Sequence, residues 1–202
     1  GSIGDFSAFS FYPTKSLGAF GDAGIICTNE LDKCNHLREL RFYGIEKDYV
    51  AKFDGYNSRM DEIQAAILNF KLTKLDENIS YREKIAKKYN NEIFSKSFFP
   101  VPRPESSLCS NYLMPFYFKN NRDLFKEILQ EKGVITNVSY KTPIHLMPAF
   151  KNLGYKKGDL PATEKHCKKN ISLPIFDYMP FELVNKVIEK VNIVLDILDT
   201  KK

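Results

Sequence analysis

The sequence is poor in the residues that mark special classes of protein, with no tryptophan and only four cysteines, ten glycines and ten prolines among 202 residues. So little glycine and proline excludes a collagen-like chain, and a hydrophobic fraction of 43% excludes intrinsic disorder. No apolar run approaches the ~20 residues that span a bilayer, and no basic segment followed by an apolar one opens the chain. We therefore expect a packed globular protein of the cytoplasm that does not enter a membrane.

Charge and cysteine spacing give no sign of nucleic-acid or metal binding. Thirty Lys and Arg against 25 Asp and Glu give a net charge of +5, and these charges are scattered rather than gathered into a basic block. Cys27, Cys34, Cys109 and Cys167 lie far apart, without a C-x-x-C motif or a nearby histidine pair. We expect reduced thiols, no metal site and no nucleic-acid partner.

The first residues of the chain raise a question of completeness. The sequence begins without Met, at Gly1-Ser2-Ile3, and reaches its richest motif almost at once. Either the first two residues are a cloning scar or the chain is a piece of a longer protein. We expect the second.

Hydrophobic patterning before about residue 76 predicts a strand pair followed by helices. Phe6–Phe11 alternates aromatic and small residues, Ile25–Thr28 is a short apolar run, and the segment between them is rich in glycine. Leu31–Tyr43 has helical spacing. Ser58 is a predicted helix cap, followed by apolar residues at three- and four-residue steps with a break near residues 76–78.

The remainder of the chain alternates predicted strands and helices, which indicates a small α/β domain. A proline-dense stretch at 98–104 must be extended or looped. The elements predicted after it are a strand at 112–118, a helix at 122–132, a strand at 134–140, and helices at 161–169 and 180–198.

The most informative segment is S-F-Y-P-T-K-S-L-G-A-F-G-D-A-G at residues 10–24, which places Lys15 on a bend among aromatic rings and glycines. Desolvation disfavours an ammonium ion, so we expect Lys15 to supply an amine able to form a Schiff base with an aldehyde cofactor. A loop lysine is otherwise usually a solvated surface charge. The residues alone leave both interpretations open.

Residues 10–24, followed by G-Y-N-S-R-M-D-E-I-Q-A-A-I-L at 55–68, resemble the pyridoxal-phosphate (PLP) sugar aminotransferases of the DegT family, which are fold-type I enzymes. Weaker matches lie at 143–150 and 160–164. The resemblance implies an α/β fold: residues 1–76 would be the C-terminal portion of the PLP-binding, aspartate-aminotransferase-like large domain, and residues 77–202 a small C-terminal α/β domain. It covers the whole chain but only about the C-terminal half of such an enzyme.

The resemblance also implies roles for individual residues. Lys15 would be the catalytic lysine that binds PLP covalently, and Ser10 would hydrogen-bond the cofactor phosphate. Asn57 would reach the phosphate of the neighbouring subunit, which implies a homodimer with a shared active site. Arg59 is either a contact for the anionic substrate or a surface arginine in the first turn of a helix.

Two further residues are placed near the sugar by the same resemblance. Tyr12 stands where the family commonly has Tyr or His, although a core aromatic would look the same. His145, in H-L-M-P-A-F, matches the family's H-L-Q-P-A-Y; a structural or exposed histidine is the alternative. Many relatives carry His-Tyr-Pro before that stretch, whereas this chain has Ser139-Tyr140-Lys141, which leaves the details of sugar recognition open.

The implied activity is transfer of an amino group from glutamate to a nucleotide-linked keto sugar, in amino-sugar synthesis for a surface polysaccharide or glycoconjugate. The L-G-x-x-G-D-A-G tail after Lys15 is more typical of relatives that act on 3-keto sugars, so we expect a dTDP-3-keto-6-deoxyhexose. In the family the rest of the PLP pocket lies upstream of the lysine, and we expect the chain to be inactive alone.

Three other functions stay open from the sequence. The chain could be a truncated, non-catalytic relative that acts as a binding or regulatory module. It could come from a 4-keto-sugar aminotransferase. The third is a PLP-dependent sugar dehydratase of the same fold; those relatives have histidine in place of the lysine, so Lys15 argues against it.

Overall fold

A computed structural model describes residues 1–104 and 107–199, and the chain divides into two compact units. The first unit is Gly1–Glu77 and the second begins at Asn78. This division lies beside the boundary expected at residues 76 and 77, and it falls in the first turn of a helix.

The first unit contains short strands and two helices. The predicted strand pair is confirmed: the first two strands are antiparallel, with Ser10 opposite Gly24 and Ser7 opposite Cys27. The predicted first helix is also confirmed, although it ends earlier than expected. The elements are β1 (Ser7–Ser10), β2 (Gly24–Cys27), α1 (Leu31–Leu40), the hairpin β3 (Ile45–Lys47) and β4 (Val50–Ala51), and α2 (Glu62–Leu72).

The predicted helix start at Ser58 is wrong. Helix α2 begins at Glu62, because the segment before it is extended and pairs with the residues that follow α1. The Ser58 amide donates to the carbonyl of Arg41 at 2.9 Å, and Asn57 forms an isolated antiparallel bridge with Phe42. The predicted break near 76–78 is also misplaced: it falls at residues 73 and 74, between α2 and the next helix.

The second unit consists of a three-stranded antiparallel sheet and its surrounding helices. Its central strand pairs with both others, and Phe116 lies opposite Pro100 on one side and Ile171 on the other. The elements are α3 (Leu75–Glu92), β5 (Phe98–Pro100), β6 (Met114–Phe118), α4 (Arg122–Glu131), two short 3-10 turns (Ile144–Leu146 and Pro148–Leu153), α5 (Pro161–Lys169), β7 (Asn170–Leu173) and α6 (Phe181–Asp199).

One continuous hydrophobic core occupies the second unit. The rings of Phe98 and Phe116 stack at 4.6 Å between centroids, and Phe125 of α4 packs against Phe118 at 4.7 Å. Helix α6 contributes the most side chains, which recur at helical spacing. They are Val184, Val187, Ile188, Val191, Val194 and Leu195, all buried.

The predicted strand at 134–140 is wrong. Gly133 has a φ of +81°, and the Val134 amide donates to the Leu129 carbonyl at 2.8 Å, so these residues end α4. Beyond them only Asn137 pairs with the sheet, through a single bridge to Ser172.

Within residues 1–104 and 107–199, no helix has the length and apolar character needed to cross a membrane.

Candidate active site

The bend that carries Lys15 lies between β1 and β2 and is closed by backbone hydrogen bonds. At its base, the Phe11 amide donates to Ala23 O at 2.9 Å and the Ala19 amide donates to Phe11 O at 2.8 Å. A tight turn brings the Lys15 amide to within 2.8 Å of Tyr12 O. The Lys15 side chain is half-buried.

Gly18 permits the close packing of this bend. A Cβ atom at Gly18 would lie 2.5 Å from Pro13 O and 2.9 Å from Tyr12 O, so the backbone there would have to shift. Any other residue at this position would therefore open the bend and displace Lys15.

Helix α2 fixes the far side of the bend through two residues that the sequence did not identify. The Gln64 side-chain oxygen accepts from the Phe20 amide at 2.8 Å, and Lys71 Nζ donates to Gly18 O at 2.6 Å. Lys71 Nζ also lies 4.9 Å from the centre of the Phe20 ring. Gln64 belongs to the E-I-Q stretch of the second motif, and Lys71 follows two helical turns later on the same face; this spacing is the signal that could have identified the pair.

Ser10 and Tyr12 lie side by side at the end of β1, and both are exposed. Ser10 Oγ accepts from the Tyr12 amide at 3.2 Å. Because Ser10 Oγ only accepts in this bond, its hydroxyl proton is left to be donated to an anion.

Asn57 and Arg59 lie on the extended segment before α2, which is tied to the end of α1. The Tyr56 amide donates to Leu40 O at 2.7 Å, and the Tyr43 amide donates to Tyr56 O at 3.0 Å. Both Asn57 and Arg59 are exposed, and Arg59 Nε donates to Asn57 Oδ1 at 3.2 Å.

A close backbone crossing supports the segment that carries Asn57 and Arg59. A Cβ atom on Gly55 would lie 2.0 Å from the backbone nitrogen of Gly44, which itself has a φ of +72°. Glycine is required at both positions.

His145 belongs to the second unit and is buried rather than exposed. Its Nε2 lies 3.4 Å from Glu164 Oε1, which also accepts from the Gly158 amide at 2.7 Å. The Gly158 N–H is the main cause that lowers the pKa of the Glu164 carboxyl, and His145 adds to it. His145 and Glu164 together attach the 144–160 loop to helix α5.

The predicted site residues are thus divided between the two units. Lys15, Ser10, Tyr12, Asn57 and Arg59 all lie in the first unit, whereas His145 lies in the second.

The donor set of the first unit fits an anionic aldehyde cofactor such as PLP. Lys15 supplies an amine, and Ser10 supplies a hydroxyl close to it along the chain. The hydroxyl of Ser16, next to the lysine, is buried and has no hydrogen-bond partner among the described residues, which leaves a polar atom for a ligand to satisfy. Among residues 1–104 and 107–199, no group of three or more His, Cys, Asp and Glu side chains is arranged to bind a metal ion.

Comparison with known proteins shows that the chain is similar to sugar aminotransferases. The DegT/DnrJ/EryC1/StrS aminotransferase family profile matches residues 1–192. The chain is 37% identical over 200 residues to the dTDP-3-amino-3,4,6-trideoxy-alpha-D-glucose transaminase of Micromonospora megalomicea subsp. nigra, covering 96% of this chain and 54% of that protein. It is 38% identical over 193 residues to a protein of Geobacillus stearothermophilus named pleiotropic regulatory protein, covering 95% and 52%.

A solved structure agrees with the sequence relatives. The S. venezuelae protein DesV, determined in complex with a ketimine intermediate, superposes with a TM-score of 0.89 at 32% identity, covering 96% of this chain and 52% of DesV. The chain therefore spans about half the length of the curated relatives and of the solved structure that it matches.

Proposed function

Because the chain belongs to the DegT/DnrJ/EryC1/StrS aminotransferase family, we propose that the complete protein is a PLP-dependent aminotransferase that acts on a nucleotide-linked keto sugar in the cytoplasm. The observation that carries this proposal is Lys15, a half-buried amine on a bend that Gln64 and Lys71 fix from α2. A solvated surface lysine would need no such support.

More specifically, we propose that the keto sugar is a dTDP-linked 3-keto-6-deoxyhexose and that glutamate is the amino donor. The name of the Micromonospora relative, a dTDP-3-amino sugar transaminase, supports this substrate class. So does the L-G-A-F-G-D-A-G tail after Lys15. A comparison of turnover with 3-keto and 4-keto dTDP sugars tests the assignment, and preference for the 4-keto sugar contradicts it.

Lys15 Nζ does the chemical work of this chain. Bound PLP supplies an electron sink for the electrons of the bond that is broken at the substrate carbon. Lys15 Nζ would hold the cofactor and, when not bonded to it, would serve as the general base and acid that moves the proton of the donor carbon. Amino transfer to the keto sugar uses the same amine in the reverse order.

The other predicted residues bind and orient. The hydroxyl of Ser10 and the amide of Asn57 donate to the cofactor phosphate, and Asn57 does so across the interface of a homodimer. Tyr12 is proposed to bind the sugar. His145 is proposed as a second substrate-binding residue, which acts through the loop that it fixes to α5. Residues 1–76 are the C-terminal portion of the large domain and residues 77–202 the small domain. Alone, the 202 residues lack the remainder of the pocket and are inactive.

The test is covalent trapping of PLP on the complete protein. Addition of PLP is expected to give an absorbance band in the near violet that borohydride fixes on Lys15. Lys15→Ala removes the fixed adduct and lowers transaminase turnover by about a thousandfold or more. Lys47→Ala, which removes an exposed lysine of the same unit, leaves both unchanged. A fixed adduct that persists in Lys15→Ala contradicts the mechanism.

A non-catalytic regulatory module is the second candidate, and the name of the Geobacillus relative favours it. The same experiment separates the two functions. A complete protein that binds no PLP, or that binds it without turnover on any keto sugar, supports the module and overturns the enzyme.

A further inference from the structure

Arg59 is fixed by aromatic rings rather than extended into solvent. Its guanidinium carbon lies 5.1 Å from the centre of the Phe42 ring and 5.8 Å from that of Tyr43. Arginine stacks well on aromatic faces because its planar cation is weakly hydrated. The side chain therefore has a defined position although it is exposed.

The hydrogen bond from Arg59 determines which way the Asn57 amide points. Arginine has five N–H donors and no acceptor, so the Asn57 atom 3.2 Å from Nε must be the oxygen. The Asn57 Nδ2 group then lies on the other side of the amide and directs its two protons away from the guanidinium. An amide in this orientation presents donors, as an anion requires.

The backbone makes the ring, the guanidinium and the amide one local assembly. Asn57 is bridged to Phe42, the residue whose ring contacts Arg59 most closely. The crossing of Gly44 and Gly55 fixes the same two segments next to each other. A change at Arg59 is therefore transmitted to Asn57 without a rearrangement of the backbone.

We infer that Arg59 is a positioning residue: it orients the Asn57 amide so that Nδ2 donates to the phosphate of PLP, and it does not itself bind the sugar substrate. This inference rests on the proposed function. Without Arg59 the amide is free to turn and to present its oxygen, which a phosphate repels.

The test compares PLP with pyridoxal, which has the same ring and aldehyde but no phosphate. Dissociation constants of both are measured by absorbance titration of the complete apoprotein, for wild type, Asn57→Ala, Arg59→Ala and the double variant. Arg59→Lys serves as a second variant that keeps the charge but loses the planar fork. Arg38→Ala, which removes an exposed arginine of α1, is the control.

Arg59→Ala is expected to weaken PLP binding by up to about tenfold, the full effect of one lost hydrogen bond to a charged group, and to leave pyridoxal binding unchanged. In the Asn57→Ala background the same change has no further effect on PLP binding, because the residue acts through Asn57. Arg59→Lys weakens PLP binding in the same direction, and the Arg38→Ala control binds both compounds like wild type.

Three results overturn the inference. One is an Arg59→Ala effect on the PLP dissociation constant that is as large in the Asn57→Ala background as in wild type. Another is an equal weakening of PLP and pyridoxal binding by Arg59→Ala. The third is a raised KM for the sugar with unchanged PLP binding, which would make Arg59 a substrate contact. Failure of the proposed function looks different, because the wild-type protein itself would then form no borohydride-fixed adduct on Lys15.

Discussion

In the second unit the sheet and helices α3, α4 and α6 enclose a continuous core in which rings such as Phe116 and Phe125 have at most 1% of their surface exposed. In the first unit only Ala19 and Leu68 are buried among the apolar side chains that the structure describes. Large apolar residues there are not covered by the rest of these 202 residues, among them Phe20 at 73% and Phe70 at 70% exposure. The two units thus have similar elements but very different cores.

The residues that carry the proposed chemistry lie mainly in the unit with the smaller core. Local hydrogen bonds from Gln64 and Lys71 fix the Lys15 bend, and backbone pairing fixes Asn57. Such contacts define geometry, but each contributes only about 1 kcal/mol of net stability, far less than a buried core. Site geometry and folding stability therefore have separate sources within these 202 residues.

The largest expected effect is on cooperative unfolding, when the two units are produced as separate polypeptides. A piece from Lys74 onward keeps α3 whole and is expected to unfold cooperatively, because the core of the second unit is complete within it. Residues 1–73 alone are expected to show no cooperative transition, because they bury too little apolar surface. Circular dichroism during urea titration measures both. A cooperative transition in residues 1–73 would contradict the comparison.

Two phenylalanine substitutions, one in each unit, compare how much a side chain of each unit contributes to the stability of the whole chain. Phe125→Ala is expected to lower the free energy of unfolding by about 3–5 kcal/mol, because it leaves a cavity in the second unit. Phe70→Ala, at an exposed position of α2, is expected to change it by no more than about 0.5 kcal/mol. Denaturant unfolding of the two variants measures the difference. Equal effects of the two substitutions on the free energy of unfolding would show that Phe70 is packed as tightly as Phe125.

Acidification gives the smallest expected effect and concerns the second unit alone. The pKa of Glu164 is lower in the folded chain than in the unfolded one, so its contribution to stability is present above the unfolded pKa of about 4.3 and is lost as the pH falls through the folded pKa. The Tm advantage of wild type over Glu164→Gln is therefore expected to shrink between about pH 6 and pH 3. Glu131→Gln, at an exposed site on α4, is the control. A Tm difference that is constant with pH would contradict this role.

Elements with a strong local signal could be predicted from the sequence. The strand pair around the Lys15 bend and the helices α1, α4, α5 and α6 all appear near their expected bounds. Ser58 and the segment 134–140 could not be assigned correctly, because their structure depends on distant partners. The Ser58 amide pairs with Arg41, and Asn137 makes one bridge to Ser172 where a longer strand was expected.

The amino-acid sequence by itself determined the family resemblance, the bend that carries Lys15 and the positions of most helices, because glycine placement and hydrophobic periodicity act over a few residues. Only the tertiary structure decided that Gln64 and Lys71 fix that bend, that Arg59 lies over Phe42 and bonds to Asn57, and that His145 is buried against Glu164. Apart from the bond between Arg59 and Asn57, these contacts join residues that are distant in the sequence, and no local pattern encodes which partner each will find.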